Sequence, residues 1–107
     1  RDKYDVKITF PDGQVWAIDA KTHRNPYMLK KSIEKDYVFT HTKAQKVFYV
    51  VPDDCLTDYP DYCKICNDAL ASSFPDSIAK CVSMRNFSKE LKGEVEDVKL
   101  RNYQKKS

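Results

Sequence analysis

Two strand-like segments separated by a three-residue turn place the strongest constraint on the fold. Residues 4–10 alternate apolar and polar side chains, and residues 15–20 form a second run rich in strand-forming residues. Between them, Pro11, Asp12 and Gly13 have the conformational preferences of a type I turn followed by a left-handed residue. The sequence therefore predicts an antiparallel hairpin with a three-residue loop and a glycine bulge.

The length of this turn determines which residues of the hairpin face each other. If Phe10 pairs with Gln14, the numbers of paired residues sum to 24, and Asp5 lies opposite Asp19. The two carboxylates then emerge on one face together with Lys21. The opposite face is apolar and carries Tyr4, Val6, Ile8, Phe10, Trp16, Ile18 and Ala20.

A helix is predicted directly after the hairpin. Asn25 can cap a helix that begins at Pro26 and ends near Asp36. Leu29 and Ile33 are one helical turn apart, so both would face the core.

The rest of the chain predicts one central strand and several shorter elements. Residues 46–51 form a continuous apolar run that ends before Pro52, which is typical of a strand buried on both faces. The predicted order is therefore two strands, a helix and a third strand. Weaker patterns predict a helix ending at 69–72, a strand at 78–83, a helical turn at 87–91, and either a peripheral helix or a disordered tail at 94–107.

Composition limits the class of protein. A chain of 107 residues, 41% apolar and 33% charged, is consistent with one folded domain and excludes a disordered or fibrous protein. It contains no apolar run of about 20 residues, as a membrane helix would need, and no retained signal peptide. With only Gly13 and Gly93, it has no phosphate-binding glycine loop or serine-hydrolase motif. Because it begins with Arg1, we expect a fragment or processed product.

Charge is unevenly distributed along the chain. Residues 1–50 carry 10 basic and 6 acidic side chains, residues 52–68 carry 1 and 5, and residues 69–107 carry 8 and 5. Basic residues that could follow a nucleic-acid backbone are Lys21, His23, Arg24, Lys30, Lys31 and Lys35. The alternative is that they form an ordinary solvent-exposed surface.

The predicted register brings two negative charges together, which requires compensation. Directly opposed side chains have Cβ atoms about 4.5–5.5 Å apart, so Asp5 and Asp19 would repel. A divalent cation such as Mg²⁺ would compensate, and Lys21 would place an ammonium beside it. In the alternative interpretation, the acids form salt bridges with lysines on a solvent-exposed hairpin face. Apolar residues on that face favour partial burial and hence the metal site.

These residues resemble the core of the PD-(D/E)xK nuclease superfamily, which has the restriction-endonuclease-like fold. Its members place an acidic residue on one strand and Asp or Glu, any residue and Lys on the next, followed by a helix and another strand. Asp5 matches the first acid, and Asp19, Ala20 and Lys21 match the second motif. Residues 26–35 match the helix.

The resemblance implies a role for each matching residue. It makes Asp5 and Asp19 ligands of Mg²⁺ or Mn²⁺, and the Ala20 carbonyl a further ligand. It makes Lys21 the catalytic lysine. It also implies nucleic acid as the substrate, DNA more than RNA. Independently of the resemblance, the charge and position of His23, Arg24, Lys30 and Lys31 predict contacts to the phosphate backbone, with ordinary exposed residues as the alternative.

The sequence differs from the superfamily pattern in two respects and resembles one subgroup of the superfamily more specifically. Tyr4 stands where the superfamily motif has proline before Asp5, and the superfamily's first helix would precede Arg1, so we expect a core without that helix. The sequence Trp-x-Ile-Asp-Ala-Lys from Trp16, followed by Asn-Pro at 25–26, resembles bacterial defence-associated nucleases encoded beside Piwi-like proteins.

The predicted organisation is a single α/β nuclease-like domain at 1–107, with a mixed central sheet flanked by helices. The core that matches the superfamily covers residues 4–51. An acidic cysteine-containing insert follows at 52–81, and a charged tail occupies 94–107.

Four cysteines leave four interpretations open, one of which is a redox role for the pair Cys63 and Cys66. Cys55, Cys63, Cys66 and Cys81 are separated by 7, 2 and 14 residues, and the single Cys-x-x-Cys pair is compatible with a structural Zn²⁺ site. They could also be inert buried thiols or a disulfide framework.

The predicted function is Mg²⁺-dependent endonucleolytic hydrolysis of phosphodiester bonds in nucleic acid. The alternative is a non-catalytic, zinc-stabilised module of degenerate nuclease fold that binds nucleic acid or protein. A homodimer or larger complex is compatible with either function. A nuclease would be expected in the cytoplasm, with no membrane partner.

Overall fold

A computed structural model describes residues 5–35 and 43–106, and within these ranges the fold is a mixed sheet of four strands with helices on both faces. No helix in these two ranges is long and apolar enough to cross a membrane. The predicted α/β class with a mixed sheet is confirmed. In chain order the elements are β1 Val6–Thr9, β2 Val15–Ala20, α1 Pro26–Lys35, β3 Lys46–Val51, α2 Cys55–Asp58, α3 Tyr62–Ser73, β4 Ala79–Ser83 and α4 Met84–Lys106.

The β1–β2 hairpin has the register that its turn predicts. The strands are antiparallel and Val6 lies opposite Ile18, so the paired residue numbers sum to 24. The N–H of Phe10 donates to the carbonyl of Gln14 at 2.8 Å, which closes the loop. Gly13 has φ of 91°, the left-handed conformation expected after a type I turn.

Parallel pairing connects the other strands in the order β1-β2-β3-β4. β2 and β3 are parallel and joined through α1, and β3 and β4 are parallel and joined through α2 and α3. Parallel neighbours need such crossovers because their ends lie at opposite edges of the sheet. The last residues of β2, β3 and β4 consequently lie at one edge, which we call the carboxyl edge: Ala20, Val51 and Ser83.

Two hydrophobic layers enclose the sheet. Beneath α1 and α3, the buried residues include Ala17, Leu29, Ile33, Val47, Tyr49, Val51, Tyr62 and Leu70. Beneath α4 they include Phe10, Trp16, Ile18, Phe48, Val50, Val82, Phe87 and Val98. The face of β2 that carries Asp19 is therefore covered by helices, so a solvent-exposed hairpin face is excluded for this strand.

The predicted apolar face of the hairpin is buried in its middle but exposed at its ends. Its central residues are buried beneath α4, but Val6 is 51% exposed and Ala20 is also exposed. Tyr4 lies outside the described residues.

Helix α1 begins and packs as predicted. The Oδ1 atom of Asn25 accepts a hydrogen bond from the N–H of Tyr27 at 2.9 Å, as an N-cap residue does. Leu29 and Ile33 are both buried. The predicted end near Asp36 lies outside the described residues.

The acidic segment 52–81, predicted as an insert, is part of the sheet architecture. It supplies α2, α3 and the first half of β4. Tyr62, Cys66 and Leu70 of α3 are buried in the layer beneath that helix. The spacing of these residues at i, i+4 and i+8 explains why the segment packs on the sheet.

One long helix, α4, replaces two separate segments predicted near the end of the chain. The sequence predicts a helical turn at 87–91 and a charged segment at 94–107, whereas the structure joins them. Phe87, Leu91 and Val98 pack in the same layer. Because residues spaced by 4 and 7 positions share a helical face, one continuous helix buries all three.

β4 passes directly into α4 at the carboxyl edge. The Oγ of Ser83 accepts a hydrogen bond from the N–H of Asn86 at 3.2 Å. The Oδ1 of Asp53, in the loop after β3, accepts one from the N–H of Arg85 at 2.9 Å. Since the first N–H groups of a helix have no partners within it, these two side chains cap α4.

A side chain of α3 pairs with the outer side of β4, the last strand of the sheet. The Oδ1 of Asn67 accepts a hydrogen bond from the N–H of Cys81 at 2.7 Å. The Nδ2 of Asn67 donates to the carbonyl of Cys81 at 3.0 Å. Both main-chain groups of Cys81 are therefore satisfied on the side away from β3.

Candidate active site

Asp19 and Lys21 lie at the carboxyl edge, on the face that α1 and α3 cover. Asp19 is the penultimate residue of β2 and only 7% exposed. The N–H of Lys21 donates to the carbonyl of Val50 at 2.9 Å, so pairing with β3 continues just beyond the end of β2. Pairing with the neighbouring strand thus fixes the backbone that carries both side chains.

Asp5, the residue directly before β1, approaches this pair from the neighbouring side of the hairpin. Its N–H donates to the carbonyl of Ile18 at 3.0 Å, and its Oδ2 accepts a hydrogen bond from the N–H of Ala20 at 2.9 Å. The Nζ of Lys21 lies 2.9 Å from the Oδ2 of Asp19. The structure therefore brings both carboxylates and the ammonium together at one end of the hairpin.

The electrostatic environment of the two carboxyl groups favours the binding of a cation next to them. Burial raises the pKa of the Asp19 carboxyl above its ordinary value, and the Asp5 carboxylate raises it further. Hydrogen bonding and positive charge from Lys21 oppose this rise in the pKa but do not cancel it. An additional cation near both carboxylates would stabilise their ionised forms.

The donor set of this cluster suits a hard divalent cation. Within the described residues, no group of three or more His, Cys, Asp or Glu side chains could hold a metal ion. Mg²⁺ needs no such group, because it is commonly held by one or two carboxylates while water and substrate oxygens complete its shell. Asp5, Asp19 and the carbonyl of Ala20 supply oxygen ligands of that kind.

A cleft of about 300 Å³ opens at the carboxyl edge beside this cluster. Its lining is mostly apolar and contains Ala20, Lys21, Thr22, Val50, Val51, Pro52, Asp53 and Met84. The lysine therefore borders both the acidic cluster and a space that another molecule can enter.

Comparison with known proteins identifies the family. Residues 1–99 match the model of a family described as "REase associating with pPIWI_RE", in which REase denotes a restriction endonuclease. The chain belongs to this family. No curated protein and no solved structure gives a significant match. The predicted likeness to nucleases associated with Piwi-like proteins is confirmed, and a nuclease-related role follows from membership of this family.

The residues that the sequence predicts to contact the phosphate backbone of nucleic acid have different surroundings in the structure. His23 is partly buried, while the exposed Arg24 has its Nη1 atom 2.9 Å from the Oδ2 of Asp54. Lys30 is partly buried and Lys31 exposed on α1. The ion pair partly neutralises the arginine, and Lys30 lines a separate cleft together with Glu34, Ile65 and Asp68.

The four predicted zinc ligands have different surroundings in this domain. Cys63 and Cys81 have their Sγ atoms 3.9 Å apart. The thiols of Cys55 and Cys66 approach main-chain carbonyls, and Cys66 also interacts with the thiol of Cys81. A hydrogen bond from Cys81 lowers the pKa of the Cys63 thiol, whereas hydrogen bonding to Cys63 and Cys66 and burial raise that of Cys81.

Tyr62 supports the segment that follows Lys21. This residue is fully buried, and its hydroxyl donates a hydrogen bond to the carbonyl of His23. Burial and the neighbouring cysteines raise the pKa of the Tyr62 hydroxyl, so it stays a hydrogen-bond donor. The contact joins α3 to the loop after β2 across 39 residues of sequence.

Proposed function

We propose that this domain is a Mg²⁺-dependent endonuclease that hydrolyses phosphodiester bonds in nucleic acid. The supporting observation is the convergence of Asp5, Asp19 and Lys21 at the carboxyl edge, with 2.9 Å between the lysine Nζ and an Asp19 oxygen. The same three residues match the superfamily motif. Membership of a restriction-endonuclease family supports the same reaction class.

Each residue of the cluster would have a separate task. Asp5 and Asp19, with the Ala20 carbonyl, would hold Mg²⁺ or Mn²⁺. When bound, the metal would supply a Lewis acid that polarises a phosphate oxygen and lowers the pKa of bound water. Lys21 would orient or deprotonate the attacking water, or neutralise negative charge that develops on the phosphate.

DNA is the substrate that we propose. The family description names a restriction endonuclease, and the cleft next to Lys21 could admit the sugar and base beside the phosphate that is cut. A homodimer or a larger complex would let one domain act on each strand of a duplex.

The test is a cleavage assay that compares Lys21→Ala with Lys7→Ala. Lys7 is an exposed lysine on β1, so its variant controls for loss of one positive charge on the same hairpin. Labelled single-stranded and duplex DNA and RNA are incubated with Mg²⁺, with Mn²⁺ or with EDTA. We expect cleavage that EDTA stops and that Lys21→Ala lowers by roughly 10²–10⁴-fold, while Lys7→Ala retains it.

Equal cleavage by the wild type and both variants would contradict the proposal and point to a contaminating nuclease. Absence of cleavage by the wild type, with retained binding to nucleic acid, would instead favour the binding module of degenerate nuclease fold. A folded Lys21→Ala variant, verified by circular dichroism, is required so that lost activity reports the chemical step.

A further inference from the structure

Two thiols are in contact where α3 crosses β4. Cys63 is the second residue of α3, and Cys81 is the central residue of β4. Their Sγ atoms are 3.9 Å apart, with the Cys81 thiol donating to the Cys63 sulfur. A disulfide has sulfur atoms about 2.05 Å apart, so bond formation needs a further approach of about 2 Å.

Cys63 is the accessible member of the cysteine group. It is partly buried and borders a cleft of about 390 Å³ between α3, β4 and α4. The other three cysteines are buried, with the Sγ of Cys55 3.8 Å from the carbonyl of His23 and the Sγ of Cys66 3.7 Å from that of Pro26. A small solute therefore reaches Cys63 first, and the sulfur nearest to it is that of Cys81.

The backbones that carry the two thiols are held in place next to each other. Asn67 lies one helical turn after Cys63 on α3, and its amide makes two hydrogen bonds to the main chain of Cys81. Because these bonds fix α3 against β4 at this point, the two thiols remain neighbours in the folded chain.

We infer that Cys63 and Cys81 form a disulfide on exposure to a hydroperoxide such as H₂O₂, and so make a redox modification site between α3 and β4. The Cys63 thiolate attacks one peroxide oxygen, and the O–O bond breaks. Hydroxide leaves and takes up the proton lost by the thiol, while Cys63 becomes a sulfenic acid. The sulfur of Cys81 then attacks the Cys63 sulfur, the S–O bond breaks, and the hydroxyl leaves as water with the Cys81 proton. Overall, two thiols and one H₂O₂ give one disulfide and two waters.

The experiment follows the cross-link in the folded chain. Zinc content is first measured in the purified, reduced protein, which is then treated with H₂O₂, alkylated and digested with trypsin without reduction. The expected product joins peptide 47–64, which contains Cys63, to peptide 81–85, which contains Cys81. The Cys63→Ser variant should lose this product, whereas Cys66→Ala, which changes the next cysteine of α3, should retain it.

A second measurement reports the effect of the bond on stability. The cross-link closes a loop of 18 residues, so the oxidised chain should melt roughly 5–15 °C higher than the reduced chain, and dithiothreitol should reverse the shift. In urea, peroxide should give mixed pairings that include Cys55 and Cys66, because the folded structure no longer selects the partner.

Four results would overturn the inference. Cys63 and Cys81 could both remain open to alkylation after peroxide treatment, or Cys63 could proceed to a sulfinic acid without pairing. The Cys63→Ser variant could still give the linked peptides, which would identify Cys55 as the partner. Stoichiometric zinc that prevents oxidation until it is chelated would identify the two thiols as metal ligands.

Discussion

Asp19→Asn is expected to stabilise the folded chain while it removes the proposed activity. Asp19 is buried at the end of β2, and its carboxyl has a raised pKa because burial and Asp5 outweigh the favourable effect of Lys21. The ionised carboxylate is therefore less favourable in the folded chain than in the unfolded chain near neutral pH. A neutral asparagine of similar shape removes this cost.

The magnitude follows from two opposing contributions. The ion pair with Lys21, whose side chain is 19% exposed, contributes on the order of 1 kcal/mol. The cost of burying a carboxylate beside Asp5 exceeds that gain, since the net effect on the pKa of Asp19 is a rise. Asparagine can accept a hydrogen bond from Lys21 and donate one to Asp5. We expect a net gain of about 1 kcal/mol in the free energy of unfolding near pH 7.

The gain should depend on pH. An acid whose pKa is higher in the folded state binds more protons there, so its ionisation destabilises the fold as pH rises through that pKa. As pH falls, wild-type Asp19 becomes neutral in the folded chain and then, near the ordinary value of 3.8, in the unfolded chain. The difference between Asp19→Asn and the wild type should therefore shrink as pH falls from the raised pKa of Asp19 in the folded chain towards 3.8, and stay constant below that value.

Urea unfolding measured by fluorescence provides the assay. Trp16 is the only tryptophan and is fully buried, so its emission reports loss of the core. Asp76→Asn, at an exposed position in the loop before β4, is the matched control and should change stability by less than about 0.5 kcal/mol. A less stable Asp19→Asn protein near pH 7, or a difference that does not change with pH, would refute the reasoning.

Three further outcomes test other parts of the structure. Mg²⁺ at ten times its Kd should stabilise the wild type by about 1.4 kcal/mol in thermal unfolding and leave Asp19→Asn unchanged; equal shifts would place the cation elsewhere. Asn67→Ala should lower the free energy of unfolding by about 1–3 kcal/mol because two main-chain groups of Cys81 lose their partners; an unchanged urea midpoint would contradict this. Tyr62→Phe should cost about 1 kcal/mol and reduce cleavage, because the carbonyl of His23 loses its hydroxyl partner and the loop after the lysine loses a support; full activity would exclude such support.

The hairpin and the acid-lysine cluster could be predicted from the sequence because local chemistry determines them. Pro11, Asp12 and Gly13 determine a turn of defined length, and that length determines the register of the strands on either side. Alternation along the strands then places Asp5 and Asp19 on the same face. None of these steps requires knowledge of distant parts of the chain.

Elements that depend on distant contacts could not be predicted in the same way. A segment as charged as 94–107 gives no local signal that separates a helix from a disordered tail, and only packing against the sheet joins it to Phe87. The hydrogen bond between Tyr62 and the carbonyl of His23 depends on how α3 crosses the sheet. The contact between Cys63 and Cys81 depends on the same crossing, which the spacing of the cysteines does not reveal.

The paired amide of Asn67 also determines how the sheet can associate with other molecules. The outermost strand of a sheet usually offers free main-chain groups to which a strand of another chain can add. At Cys81 the side-chain amide of Asn67 already makes the two main-chain hydrogen bonds that an added fifth strand would make. Sheet extension from this border is therefore blocked at its midpoint, which protects the domain from one common route to aggregation.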